Sequence, residues 1–130
     1  MALQNTSFEQ IGSGGSATLQ VRNQSTITAN TATTYTFTTA DFVAGIVTSN
    51  NAGAQTLTLP TAAVVEAAFP NFPVNTSFEF SVAALGAGTA TVTTATGWTL
   101  VGSMAVAQNI ASRFRAVKTA ANAFTLYQIA

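Results

Sequence analysis

From Thr18 onward, apolar and hydroxyl side chains alternate with a period of two. Thr34-Tyr35-Thr36-Phe37-Thr38 places both rings on one face, Gln55-Thr56-Leu57-Thr58-Leu59 repeats the pattern up to Pro60, and Ser77-Phe78-Glu79-Phe80-Ser81-Val82 turns Phe78, Phe80 and Val82 inward. Successive side chains of a strand point to opposite sides, so each run predicts a strand with one buried face. Further strands are predicted over Thr18–Arg22, Ser25–Thr28, Gly45–Thr48, Thr89–Thr94, Gly97–Val101, Ser112–Lys118 and Ala123–Ile129, with a shorter one at Met104–Ala107. Asn23-Gln24, Ser49-Asn50-Asn51-Ala52-Gly53, Leu85-Gly86-Ala87-Gly88 and Thr119-Ala120-Ala121-Asn122 read as the links between them.

One segment leaves this rhythm. Thr61–Phe69 is rich in Ala, Thr61 is placed to cap a helix N-terminus, and Pro70-Asn71-Phe72-Pro73 stops it. The expectation is one short helix, with an irregular loop as the alternative. Many short strands with turn signals between them indicate an all-β sandwich or barrel. The predicted architecture is a single β-sandwich, jelly-roll-like, over residues 17–130. Residues 1–16 form an N-terminal arm ending in the hinge Gly12-Ser13-Gly14-Gly15-Ser16. A frayed terminus and an arm that docks on a neighbouring subunit both fit that composition; in the second case Phe8 and Ile11 are the anchors.

Composition narrows the chemistry. Four basic and four acidic residues make 6% of the 130, against about a quarter in an average domain. There is no His and no Cys, so the usual neutral-pH proton carrier and the soft nucleophiles and ligands are missing. The carboxylates Glu9, Asp41, Glu66 and Glu79 are far apart in sequence. No calcium-type cluster surrounds Asp41, and the Gly-Ser run lacks the Lys of a phosphate loop. No catalytic, metal-binding or cofactor-binding residues are expected, and no enzyme activity. Apolar residues reach 48%, enough for a core, and zero net charge favours association with protein over nucleic acid or an acidic membrane. No signal peptide and no membrane span are read from the sequence.

Two features point to contacts. Arg113 and Arg115 share a strand face that Phe114 avoids, and Glu79 lies outward on another strand. This is either an exposed cross-strand ion pair or an intersubunit one. In the last strand Phe124, Leu126 and Gln128 share one face and Thr125, Tyr127 and Ile129 the other, a pattern expected of a strand covered on both sides. Trp98 is expected in the core, with sugar stacking as the alternative.

The order Val74-Asn75-Thr76-Ser77-Phe78-Glu79-Phe80-Ser81-Val82, Gly97-Trp98-Thr99-Leu100-Val101-Gly102, Ala107-Gln108-Asn109-Ile110-Ala111-Ser112-Arg113-Phe114 and Ala123-Phe124-Thr125-Leu126-Tyr127 resembles small capsid decoration (cement) proteins of tailed bacteriophages. Thr34–Thr38 and Leu59-Pro60-Thr61-Ala62-Ala63 fit the same pattern, so the resemblance spans residues 33–130. It implies a non-enzymatic all-β homotrimer on the capsid exterior, assembled in the bacterial cytoplasm and bound to the major capsid protein. A tail or fibre module and a carbohydrate-binding sandwich are the alternatives. Phe8, Ile11, Glu79, Arg113, Arg115 and Tyr127 are the candidate contacts.

Overall fold

The computed structural model describes residues 8–9, 20–21 and 24–130. Ten strands build two sheets: β3 (Thr28–Asn30), β4 (Thr34–Thr36), β5 (Ile46–Ser49), β6 (Gln55–Thr58), β7 (Ser77–Ala84), β8 (Ala90–Thr93), β9 (Trp98–Val101), β10 (Ala105–Val106), β11 (Ile110–Ala120) and β12 (Ala123–Gln128). The larger sheet runs β3-β5-β7-β11-β12-β9 and the smaller β10-β8-β6-β4. Two further strands, β1 (Phe8–Glu9) and β2 (Gln20–Val21), pair antiparallel with each other. The Gly/Ser hinge and Ile11 lie outside the described residues.

The β-rich two-sheet body matches the periodicity, but its connectivity is not the antiparallel Greek key of a jelly roll. From β3 to β8 the chain visits the two sheets alternately. Each new strand lies parallel to the previous one in its sheet: β3–β5–β7 in one, β4–β6–β8 in the other. The result is three turns of a coil. The last four strands close it. β10 and β11 add antiparallel to β8 and β7, β12 pairs antiparallel with β11, and β9 pairs parallel with β12.

The links of successive turns stack backbone on backbone. Gly88 N–H donates to the Asn51 carbonyl at 3.1 Å, Gln55 N–H to Thr89 O at 3.0 Å, and Thr56 N–H to Thr33 O at 2.9 Å. Asn51 Nδ2 donates to Thr31 O at 2.7 Å. This closeness demands glycine: a Cβ at Gly88 would stand 1.7 Å from the Gly53 carbonyl oxygen, and one at Gly86 2.3 Å from that of Asn51. Beneath these links, Gln55 Nε2 donates to Asn30 Oδ1 at 2.9 Å and to the Ala32 carbonyl, and Ser49 Oγ donates to Gln55 Oε1. All three side chains are buried, and they peg the two sheets together through satisfied polar groups.

Among the described residues two short helices are present, not one. α2 (Ala62–Ala68) stands where Ala content and Thr61 place it, with Val64 N–H donating to Thr61 Oγ1 at 3.3 Å. α1 (Thr39–Ala44) was not expected. Its start is a capping box: Thr38 N–H donates to Asp41 Oδ2 at 2.8 Å and Asp41 N–H to Thr38 Oγ1 at 3.4 Å. Its end is Gly45 at φ +81. The strand expected at Ser25–Thr28 begins only at Thr28.

The core lies between the sheets. Phe37, Phe80, Phe114, Phe124, Leu57 and Leu126 are fully buried. Phe80 stacks on Phe114 with ring centres 5.4 Å apart, and Trp98 on Phe124 at 5.1 Å. Trp98 is 8% exposed, and its Nε1 donates to the Pro60 carbonyl at 2.7 Å. It is a core residue and presents no face to a sugar.

Candidate interaction surface

The outer face of the larger sheet gathers four of the six candidate contacts. Strand register aligns Glu79 with Arg115, Arg115 with Tyr127, and Tyr127 with Val101, a row crossing β7, β11, β12 and β9. One step along, Ile46 aligns with Ser81 and Ser81 with Arg113. Phe114, on the opposite side of β11, is fully buried, as the two-residue period requires.

Arg115 donates to Glu79 Oε2 from Nε at 2.8 Å and from a terminal nitrogen at 2.5 Å. Arg113 meets Glu79 Oε1 only at 3.7 Å, with its side chain 56% exposed. The Arg115 hydrogen bond is the main cause holding the Glu79 carboxyl below the ordinary glutamate range, and the nearby charges of Arg115 and Arg113 add to it against the cost of burial. One carboxylate therefore serves two guanidiniums. Among the described side chains of this set one positive charge is left over, with donor capacity at Arg113. Around this set, Ile46, Val101, Tyr127 and Ile129 are exposed. The β12 pattern was expected to be covered on both sides; in the single chain its Tyr127 face is open.

Of the two remaining candidates, Phe8 is described only as backbone in β1, and Ile11 is not described. A third cation, Lys118, lies on the same strand as the two arginines. The structure turns it the other way. Lys118 is 7% exposed, pairs with Glu66 at 3.1 Å and donates to the Phe72 carbonyl at 3.0 Å. Its position in the strand carried the signal, because Lys118 shares the inward set with Phe114 and Ala116. Glu66 Oε1 also accepts from Asn122 N–H at 2.6 Å. That backbone hydrogen bond, then the Lys118 ammonium, holds the Glu66 carboxyl below the usual glutamate range. The pair ties α2 to the β11–β12 hairpin.

Asp41 caps α1 and accepts from the Tyr35 hydroxyl at 2.7 Å. Among the described residues no three His, Cys, Asp or Glu side chains converge. No described helix is long and apolar enough to cross a membrane.

A second feature was not legible in sequence. Phe42 and Val43 of α1, Phe69 at the end of α2, Phe72, and Phe78 of β7 line an open apolar cavity of about 200 Å³. The outer face of the smaller sheet carries aligned threonines instead: Thr34, Thr56 and Thr91 in one row, Thr36, Thr58 and Thr93 in the next. Thr93 Oγ1 donates to Thr58 Oγ1 at 3.1 Å.

No family model matches the chain, and neither does a curated protein or a solved structure.

Proposed function

We propose that this chain is a structural virion protein that binds the outer surface of a phage capsid as a homotrimer and holds neighbouring capsid subunits together. The observation that supports this reading is the open face of the larger sheet. It belongs to a six-stranded sheet, and it combines exposed Ile46, Val101 and Tyr127 with a charge set whose single carboxylate underserves two arginines. Apolar area supplies affinity and the arginine supplies orientation, the usual division of labour at a protein interface. A foreign carboxylate on the shell would complete Arg113. A protein that binds only the assembled lattice stabilises that lattice by linkage, and three copies on one body multiply weak contacts through effective concentration.

The test is occupancy on intact shells. Purified protein is mixed with capsids of the encoding phage, sedimented, and located by electron microscopy. Binding to the head exterior that falls on Arg113→Glu upholds the reading. Exclusive location on the tail supports the attachment-module alternative, and no binding to any virion part overturns both.

A further inference from the structure

We infer that the outer edge of β4 is a docking edge for a strand and that its occupant is the chain's own hairpin β1–β2, with β2 lying parallel to β4 as one more turn of the coil. The inference goes beyond the shell reading and does not rest on it.

The edge supplies the first argument. The two ends of the coil differ. At one end β10 and β11 pair with the strands of the last turn. At the other, β3 and β4 each end their sheet among the described residues. Phe37 N–H donates to Thr58 O and Thr56 N–H donates to Thr33 O, both at 2.9 Å, so residues 33 and 37 turn their backbone groups to β6. Successive residues of a strand turn these groups to opposite sides, which points the N–H and C=O of Thr34 and Thr36 away from β6. Such a row is a template for an extended backbone.

The winding names the occupant. Each later strand of the larger sheet within the coil is reached from a strand of the smaller one: β5 from β4, and β7 from β6. The residues leading into β3 follow the same course. Thr28 of β3 aligns with Val47 of β5, and just upstream Gln24 Nε2 donates to the Ala44 carbonyl at the end of α1. Residue 24 therefore stands beside the stretch that carries the chain from α1 into β5. Continuing the winding backwards from there leads to the smaller sheet, next to β4, and β2 is the strand that comes before. The six residues of the link 22–27 span up to about 20 Å extended, and packed sheets lie about 10 Å apart. β2 pairs with β1 along one edge, which leaves its other edge for β4.

The side-chain pattern fits. Thr18-Leu19-Gln20-Val21-Arg22 alternates polar with apolar, as Thr34-Tyr35-Thr36-Phe37 does. Thr34 and Thr36 are exposed, Tyr35 is half-buried and Phe37 is buried. A parallel strand in phase with β4 carries Leu19 and Val21 on the core side and Thr18 and Gln20 into the threonine rows. Tethering then decides between this strand and one from another copy. A short link holds its strand at an effective concentration on the order of millimolar, about a thousandfold above a second copy at micromolar concentration.

Amide hydrogen exchange of the full chain, followed by NMR, tests this. The Thr34 and Thr36 amides should exchange at least about tenfold more slowly than unstructured amides, with no change on dilution. Val21→Asp should abolish that protection, while Phe37, whose N–H donates to Thr58, stays protected. The chain has no cysteine, so an engineered pair reports alone. Gln20→Cys combined with Thr34→Cys or Thr36→Cys should form a disulfide within the chain. Gln20→Cys combined with Thr91→Cys, on β8 beyond β6, should stay reduced. Free exchange of Thr34 and Thr36 in the wild type, or equally ready oxidation of the Thr91→Cys pair, overturns the inference. Protection that falls on dilution, or disulfides between chains, places a strand of another copy on the edge and overturns the assignment to the chain's own hairpin.

Discussion

Gly88→Ala is the most direct test of the coil. In the folded chain the new methyl would sit 1.7 Å from the Gly53 carbonyl oxygen and 2.7 Å from the Ala54 nitrogen, both backbone atoms. No side chain can rotate to make room, so the stacked links must separate. Overpacking a closed site costs about 1–3 kcal/mol, occasionally more. Separation also weakens Gly88 N–H to Asn51 O and Gln55 N–H to Thr89 O, each worth about 0.5–1.5 kcal/mol net. The expected loss is about 3 kcal/mol, and for a domain of this size the melting midpoint should fall on the order of 10 °C. Gly45→Ala is the control. Gly45 is left-handed at φ +81, but nothing lies within 4 Å of its added Cβ, so it should lose only about 1 kcal/mol from backbone strain. Thermal and urea unfolding of the two variants beside the wild type gives the comparison. A Gly88→Ala protein as stable as Gly45→Ala would show that the links do not stack, and the parallel winding would fall with them.

Phe124→Ala should cost about 3–5 kcal/mol in urea unfolding, since the ring is fully buried and stacks on Trp98 and Phe72. Truncation after Asn122 removes the strand that joins β11 to β9, so the 1–122 fragment should fail to melt cooperatively in calorimetry. Tryptophan emission should be blue-shifted in the native state and move red on unfolding, because the only indole is buried; a red native spectrum contradicts that placement. Glu66 and Glu79 both titrate below the usual 4.5. A depressed carboxylate adds stability that is present above its unfolded value and is lost as pH falls through the folded one. The fall in stability should therefore occur below about pH 4.5, and Lys118→Met should make it shallower without removing it in acid titrations followed by circular dichroism, because the Asn122 N–H still holds Glu66 and the arginines still hold Glu79.

The alternation of side chains determined much on its own. A period of two sorts residues into inward and outward sets whatever strand lies alongside, so Phe80, Val82 and Phe114 were legible as core, Phe78 as a partly buried ring packed against it, and Arg113 and Arg115 as surface. The Ala-rich run and Thr61 likewise announced α2, because caps and propensity act within a few residues. The same period is blind to neighbours. It reads alike in parallel and antiparallel sheets, so the coil, and with it the demand for Gly86 and Gly88, appeared only when turns lay on turns. α1 was hidden for a related reason. Its threonine-rich approach continues the strand pattern, and six residues are too few to show a helical period against it. The charge set was half visible. Spacing placed two arginines on one face, while register decided that Glu79 faces Arg115 and that Tyr127 completes the row. The aromatic cavity was not visible at all. Its walls come from α1, the end of α2, the following loop and β7, and proximity between such distant segments is a property of the packed chain rather than of any stretch of it.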